Sequence, residues 1–175
     1  MTASRKTSLT AGILYLLTFI SIPTLSLYRE IHQPNFILSS APASDVVLGG
    51  ILELLMALAC IGTALAFYPV LKKQNESLAL GFVAARVLEA TLIFAGVASL
   101  LTVLNLRALG ADAQVVSRGL VMLYDRLFLI SQSFLPAVNG LLLGILLFQS
   151  RLVPRWLPII GISGAFLLLF GDGLV

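Results

Sequence analysis

The sequence has few charged residues. Asp, Glu, Lys and Arg together make up 11% of its 175 residues, whereas soluble domains carry about 25%. Eleven basic and eight acidic side chains are too few to cover a water-facing surface of this size. This composition argues against a soluble globular domain and a disordered tail. The net charge of +3 is spread along the chain without a basic cluster, which argues against a nucleic-acid binder.

Reactive residue types are also scarce. The single cysteine, Cys60, cannot form an internal disulfide. The single histidine, His32, lies in a predicted loop, where we expect a solvated side chain. These two residues cannot complete a tetrahedral zinc site unaided, and no histidine lies inside the apolar segments to activate a serine nucleophile. The sequence therefore predicts no metal, no cofactor and no catalytic residue.

Hydrophobic residues, in contrast, make up 59% of the chain and concentrate in five long runs. A membrane-spanning helix needs about 20 mostly apolar residues. The runs that meet this length are residues 8–28, 46–71, 78–104, 119–149 and 157–175. They predict a single all-α integral membrane domain over residues 1–175, a polytopic transmembrane bundle of about five spanning helices in the lipid bilayer.

Proline, serine and small residues predict local features of these helices. Pro23 and Pro136 lie inside predicted spans, where the missing N–H predicts a kink. Ser77 is expected to cap the start of the third helix. Small residues spaced four apart predict close helix packing; these pairs are Gly140 with Gly144 and Gly161 with Ala165.

Basic residues are distributed unequally between the two ends of the predicted bundle. Six lie on the side of the amino terminus and three on the other side: Arg5, Lys6, Lys72, Lys73, Arg151 and Arg155 against Arg29, Arg107 and Arg118. Because Lys and Arg beside spans tend to stay in the cytoplasm, the amino terminus is predicted to be cytoplasmic.

Several ionisable residues lie inside the apolar runs. A charge at bilayer depth costs on the order of 3 kcal/mol, so each is expected to face a partner or water. The residues concerned are Glu53, Arg86, Glu89, Asp125, Arg126 and Asp172. Asp172 is close to the end of its run, where fraying or an interface is expected.

Counting along the helices predicts which of these residues meet. Glu53, Glu89, Asp125 and Arg126 converge in the outer half of the bundle, and Arg86 lies beneath them. Arg86 and Glu89 are three residues apart and can pair on one helix face. Polar residues spaced by seven predict a stripe that faces the protein interior; they are Asp125, Gln132 and Asn139.

Two interpretations of this buried charged cluster compete. In the first, the charges neutralise one another and fix the register of the helices, and the protein is a membrane protein of unassigned function. In the second, three acids against two bases leave one carboxylate that carries a proton or holds a cation. The protein would then be a small proton- or cation-coupled transporter using Glu53, Glu89 and Asp125. A membrane-embedded enzyme acting on an apolar substrate is the third choice.

Two stretches carry a resemblance to a known family. They are FYPVLKKQNESLALGFVAARVLEATLIFAGVASLL (67–101) and GLLLGILLFQSRLVPRWLPIIGISG (140–164). They resemble the bacterial family called domain of unknown function 4386, which implies a polytopic protein of the bacterial inner membrane without an assigned activity or ligand. Members of that family generally have a further span. The final helix is therefore expected to need a partner, either a second copy in a homo-oligomer or another membrane chain, unless the chain is truncated.

Overall fold

Helices are the regular structure of the protein. The computed structural model describes the backbone of residues 3–151 and 153–172 and the side chains of residues 9–151 and 153–171, and every element in these ranges is helical. The predicted all-α fold is confirmed for this part of the chain. The side chain of Asp172 and the last three residues of the predicted fifth run lie outside the described residues.

Seven α-helices and several short 3-10 or π segments follow one another in the described part of the chain. The α-helices are α1 (Ala3–Leu17), α2 (Thr24–Leu27), α3 (Ala43–Leu71), α4 (Glu76–Leu106), α5 (Gln114–Leu129), α6 (Leu135–Ser150) and α7 (Trp156–Asp172). A π-helical turn, Ile130–Phe134, joins α5 to α6 without a break. The helices thus form five rods at the positions of the five predicted apolar runs, with α1 and α2 sharing the first rod.

Not every rod has the length and apolarity of a membrane span. Within the described residues, three helical stretches meet both criteria, Leu9–Leu27, Ala43–Leu71 and Glu76–Ser150, and the shorter Trp156–Gly171 is apolar. The third stretch contains α4, a chain reversal and the α5–α6 rod. The number of about five membrane crossings therefore stays a prediction.

The α3, α4 and α5–α6 rods form the centre of the structure. α3 packs against α4, and α4 packs against both α5 and α6; α1 flanks α3, and α7 flanks α6. Buried apolar residues fill three successive levels between these rods. The levels contain Phe36 and Leu100 near the 28–42 loop, Ala57 and Ile93 in the middle, and Phe82 with its neighbours at the opposite end.

Both predicted proline distortions are present. Around Pro23 the first rod changes from a 3-10 turn, Thr18–Ser21, to the short helix α2. Before Pro136 the N–H of Leu135 bonds to the carbonyl of Ile130, five residues earlier. Because Pro136 has no N–H to donate into the preceding turn, the helix adopts a wider π turn at this point.

One local prediction is wrong. Asn75, rather than Ser77, caps α4, since its side-chain oxygen accepts a hydrogen bond from the N–H of Leu78 at 3.0 Å. In the loop after the first rod His32 is exposed, as predicted, while Ile31 and Phe36 are buried against the bundle. Arg107 holds this loop down by donating from Nη1 to the carbonyl of Ala41 at 2.8 Å.

The outer surface of the bundle is apolar. Leu16, Leu25, Leu167 and Phe170 each expose more than two thirds of their area, while Glu53, Arg86 and Glu89 are buried. Water-soluble proteins almost never bury unpaired charges and rarely expose large apolar patches. The distribution of polarity is therefore the reverse of that of a water-soluble domain.

Small residues bring α6 and α7 together, as predicted. A Cβ atom at Gly144 would lie 2.6 Å from Cγ1 of Ile162, and one at Gly140 would lie 3.4 Å from the Cβ of Ala165. At Gly161, which is also helical, a Cβ would meet nothing within 4 Å. Gly144 therefore sets how closely the two helices approach, whereas Gly161 does not.

We expect Gly144→Ala to destabilise the protein and Gly161→Ala to leave it unchanged or slightly more stable. Alanine favours a helix over glycine by about 1 kcal/mol at both sites, but only at position 144 does the added methyl group overlap a neighbour. Unfolding of the purified variants in mixed micelles, followed by circular dichroism, measures the difference. Equal stability of the two variants would contradict this account of the α6–α7 contact.

Candidate functional site

An ion pair lies at the centre of the bundle. Arg86 and Glu89 are one turn apart on α4, and Nη1 of Arg86 is 3.0 Å from Oε2 and 3.2 Å from Oε1 of Glu89. Both side chains are buried, with 6% and 2% of their area exposed. Two charges removed from water in this way stabilise each other only if further hydrogen bonds satisfy them. The predicted pairing is present in the structure.

Side chains from the neighbouring rods complete this pair. Asn139 of α6 donates from Nδ2 to Oε2 of Glu89 at 2.5 Å, and the thiol of Cys60 on α3 lies 3.5 Å from Oε1. The guanidinium group of Arg86 lies 5.1 Å from the ring centre of Tyr15 on α1, a distance at which cation–π attraction operates. One ion pair therefore connects four rods: α1, α3, α4 and α6.

A second buried carboxyl group, Glu53, has a different environment. The hydroxyl of Tyr124 donates to Oε1 at 2.7 Å, Nε2 of Gln132 donates to the same oxygen at 3.3 Å, and the hydroxyl of Tyr28 lies 3.5 Å from Oε2. Glu53 is 1% exposed. In the described part of the chain it has neutral donors but no ion pair.

Two backbone features place the donors around Glu53. The ring of Tyr28 lies against Gly49, one turn before Glu53 on α3, where a Cβ atom would come within 2.4 Å of the ring. The π turn adds one residue between Tyr124 and Gln132, so residues eight apart share a face there instead of residues seven apart. Tyr124 and Gln132 consequently both reach Glu53.

The structure does not place Asp125 and Arg126 in the buried cluster. Both are exposed, and the inward-facing residue at this level is their neighbour Tyr124. The heptad spacing that grouped Asp125 with Gln132 and Asn139 assumed a regular α-helix, and the π turn breaks that regularity. Of the seven residues expected together, the structure brings five inside: Glu53, Arg86, Glu89, Gln132 and Asn139.

Asp125 instead pairs with His32 at one end of the bundle. Nε2 of His32 is 2.9 Å from Oδ1 of Asp125, and Nδ1 is 2.6 Å from the carbonyl of Tyr28. Both ring nitrogens therefore lie within hydrogen-bond distance of an oxygen atom. A pocket of about 130 Å³ lies beside this pair and reaches Tyr28 and Tyr124. His32 is thus an exposed loop residue, as predicted, and its side chain lines this pocket.

Sequence reasoning missed several members of these networks. They are Tyr15, Tyr28, His32 and Tyr124, together with Cys60 as a neighbour of Glu89. Tyrosines in apolar runs give little signal in a sequence, because their rings pack like other apolar side chains and only the hydroxyl needs a partner. The buried carboxyl groups were themselves a signal, since each requires hydrogen-bond donors from neighbouring helices.

A groove reaches Glu89 and the Gln132 side chain that bonds to Glu53. It has a volume of about 340 Å³ and lies between α1 and the α5–α6 rod, with residues of α3 and α4 at its base. Arg86, Glu89 and Cys60 line it, and so does Gln132, the donor to Glu53. Exposed Phe19 and Ile22 lie at its rim. The groove thus opens on the apolar outer surface and reaches both buried networks.

The guanidinium group of Arg86 is only partly used. Nη1 contacts Glu89 and Cys60, and the side chain of Tyr15 lies close enough to interact with the charge, whereas Nε is buried without a hydrogen-bond partner. Among the side chains of residues 9–151 and 153–171, no group of three or more His, Cys, Asp or Glu residues could hold a metal ion. The carboxyl groups of the two networks can bind a proton, and the guanidinium group of Arg86 can donate hydrogen bonds to an anionic ligand.

The comparisons with known proteins give one match. The model of a family described as "Domain of unknown function (DUF4386)" matches residues 10–175, which confirms the resemblance drawn from the 67–101 and 140–164 stretches. Neither the curated proteins nor the solved structures give a match.

The ion pair and the His32–Asp125 contact are expected to differ in their effect on stability. Arg86→Met leaves Glu89 buried without a cation and should cost about 3–5 kcal/mol of unfolding free energy, most of which the double variant Arg86→Met/Glu89→Met should restore. Asp125→Asn should cost less than about 1 kcal/mol, because that pair is half exposed.

Chemical unfolding of the purified variants in mixed micelles measures these differences. If Arg86→Met/Glu89→Met is as unstable as Arg86→Met, the expected recovery of stability is wrong, and the pair contributes more to stability than the neutralisation of its two charges. An Asp125→Asn variant as unstable as Arg86→Met would contradict the ranking.

Proposed function

The chain belongs to the DUF4386 family, and from that premise we propose that it is a five-span protein of the bacterial inner membrane that carries a small solute together with a proton bound at Glu53. In this proposal the Arg86–Glu89 pair is structural, and Glu53 is the group that binds and releases the proton. Both earlier interpretations of the charged cluster then apply, each to a different carboxyl group.

The membrane location is supported by the polarity of the fold. Three helical stretches of the described chain are long and apolar enough to span a bilayer, and the outside of the bundle is apolar. A hydrated surface would strongly disfavour this arrangement, whereas lipid tails favour it. Because α5–α6 runs back along α4 after the reversal at Gly110, the third stretch accounts for two crossings, and α7 supplies the fifth.

The single observation that carries the function is the position of Gln132. Its amide donates to Glu53 and the same residue lines the groove beside Arg86 and Glu89. A ligand in the groove therefore contacts a residue that is bonded to the proton-binding carboxyl. Occupancy of the groove and protonation of Glu53 can influence each other through one side chain, which is the coupling that a proton-linked carrier requires.

The hydrogen bonds indicate which oxygen of Glu53 takes the proton. Oε1 accepts from both Tyr124 and Gln132, so its acceptor positions are occupied. Among the described residues, Oε2 has one hydrogen-bonding neighbour, the hydroxyl of Tyr28 at 3.5 Å, and this hydroxyl can accept as well as donate. With a proton on Oε2, the carboxyl group would donate a hydrogen bond to the hydroxyl oxygen of Tyr28, whose side chain reaches the pocket at the His32–Asp125 end.

Among the described side chains, the opposite end of the bundle offers no such route. Below Arg86 the space between the rods is filled by Leu71, Ala79, Phe82 and Leu146, which are all fully buried. The polar interior therefore connects to one end of the bundle and to the groove. In the proposed orientation that end is outside the cell, so protons reach Glu53 from the periplasm.

Cysteine labelling of intact cells tests the orientation. Asp112→Cys and Lys73→Cys place thiols at exposed positions at opposite ends of the bundle, while the native Cys60 is buried. We expect a membrane-impermeant maleimide to label Asp112→Cys in intact cells and Lys73→Cys only after lysis, because Lys73 lies on the cytoplasmic side. The reverse pattern would overturn the predicted topology, and the unsubstituted protein is the control for Cys60.

Infrared difference spectroscopy tests the proton site without a known substrate. Lowering the pH should increase a carboxylic-acid C=O band of the purified protein, because Glu53 takes up a proton. Glu53→Gln should remove this band and Glu89→Gln should retain it. Tyr124→Phe should keep the band but shift its frequency, since one donor to Oε1 is lost.

Persistence of the band in Glu53→Gln would rule out Glu53 as the proton site. Absence of any such band in the native protein would remove the basis of the proposed coupling. Circular dichroism of each variant establishes that it is folded.

A further inference from the structure

The unpaired Nε of Arg86 indicates what the groove binds. Nε is buried without a hydrogen-bond partner, and the hydrogen bonds of the guanidinium group to Glu89 and Cys60 are all made by Nη1. Leaving a buried donor unsatisfied is costly, and more so when the group is charged. The Nε–Nη2 edge of a guanidinium group presents two parallel N–H donors, the geometry that a carboxylate accepts with both of its oxygens.

The rest of the groove is suited to an apolar chain. Tyr15, Phe19 and Ile22 line it from the first rod, and Met56 and Pro136 line it from the other side. The rim is formed by exposed apolar residues, so a ligand dissolved in lipid can enter from the side. We propose that the groove binds an aliphatic monocarboxylate, with the carboxylate on the Nε–Nη2 edge of Arg86 and the hydrocarbon chain along Met56 and Phe19.

Charge balance links this ligand to Glu53, and in this respect the inference rests on the proposed function. Arg86 is already neutralised by Glu89, so a bound carboxylate adds one uncompensated negative charge to the buried interior. Uptake of one proton by an ionised Glu53 removes one negative charge. The net charge of the interior is then the same before and after binding, and the cost of burying an additional charge is avoided.

The proposal is tested with octanoate labelled with carbon-13 at its carboxyl carbon and protein in lipid nanodiscs. We expect a saturable bound signal in carbon NMR. Octanol and octylamine should not displace it, because neither has a carboxylate to accept from both N–H groups. Unlabelled octanoate should displace it.

Three variants locate the site. Arg86→Lys keeps a positive charge beside Glu89 but has no paired N–H edge, and we expect its affinity for octanoate to fall about tenfold or more, as for the loss of a charge-assisted hydrogen bond. Thr18→Trp fills the groove from the first rod and should abolish the bound signal. Thr102→Trp, on the exposed outer face of α4, is the matched control and should bind as the native protein does.

The outcomes separate this inference from the proposed function. Octanoate that binds equally to native protein, Arg86→Lys and Thr18→Trp, or that octanol displaces as well as octanoate does, overturns the carboxylate site. If the infrared band of Glu53 still responds to pH in that case, the proton site stands. If octanoate binds as expected but leaves the Glu53 band unchanged, the groove is a carboxylate site and its coupling to the proton is wrong. If Arg86→Lys does not fold, the comparison of octanoate binding between Thr18→Trp and Thr102→Trp decides whether the groove is the site.

Discussion

The interaction on which the architecture depends is the buried pair of Arg86 and Glu89. Neither side chain can remain in an apolar interior without a partner of opposite charge and further hydrogen bonds. Satisfying them requires Asn139 from α6 and Cys60 from α3, with the ring of Tyr15 from α1 close by. The register of four rods is therefore linked to one pair of charges, in a bundle whose apolar contacts alone would allow many registers.

Glu89 and Glu53, the two buried carboxyl groups, differ in the charge of their hydrogen-bond partners. Glu89 has a permanent cation beside it, whereas Glu53 has only neutral donors from Tyr124, Gln132 and Tyr28. A carboxyl group in the second environment can keep hydrogen bonds with or without its proton, because its neighbours include hydroxyl groups that can turn. Both networks border the groove. Gln132, which bonds to Glu53, lines one part of it, and Arg86 and Glu89 line another.

Much of the fold could be predicted from the sequence. Each apolar run was found because helices of this length and apolarity leave a signal that does not depend on their neighbours. The Arg86–Glu89 pair was equally accessible, since residues three apart on a helix meet in any regular α-helix. Asp125 was misplaced because the heptad argument assumed such a helix across Pro136. The capping residue of α4 was misassigned by two positions because Asn75 and Ser77 are both good caps.

Composition and spacing by themselves determined that the chain is helical, that its apolar runs are long, and that charged residues within them need partners, because these properties follow from local geometry and from the cost of desolvating a charge. Only the tertiary structure decided which partners they have. The π turn that rotates Tyr124 toward Glu53, the contact of Tyr28 with Gly49, and the groove beside Arg86 all depend on how separate rods pack. Residues far apart in the chain come together only through that packing, so periodicity along one helix cannot reveal them.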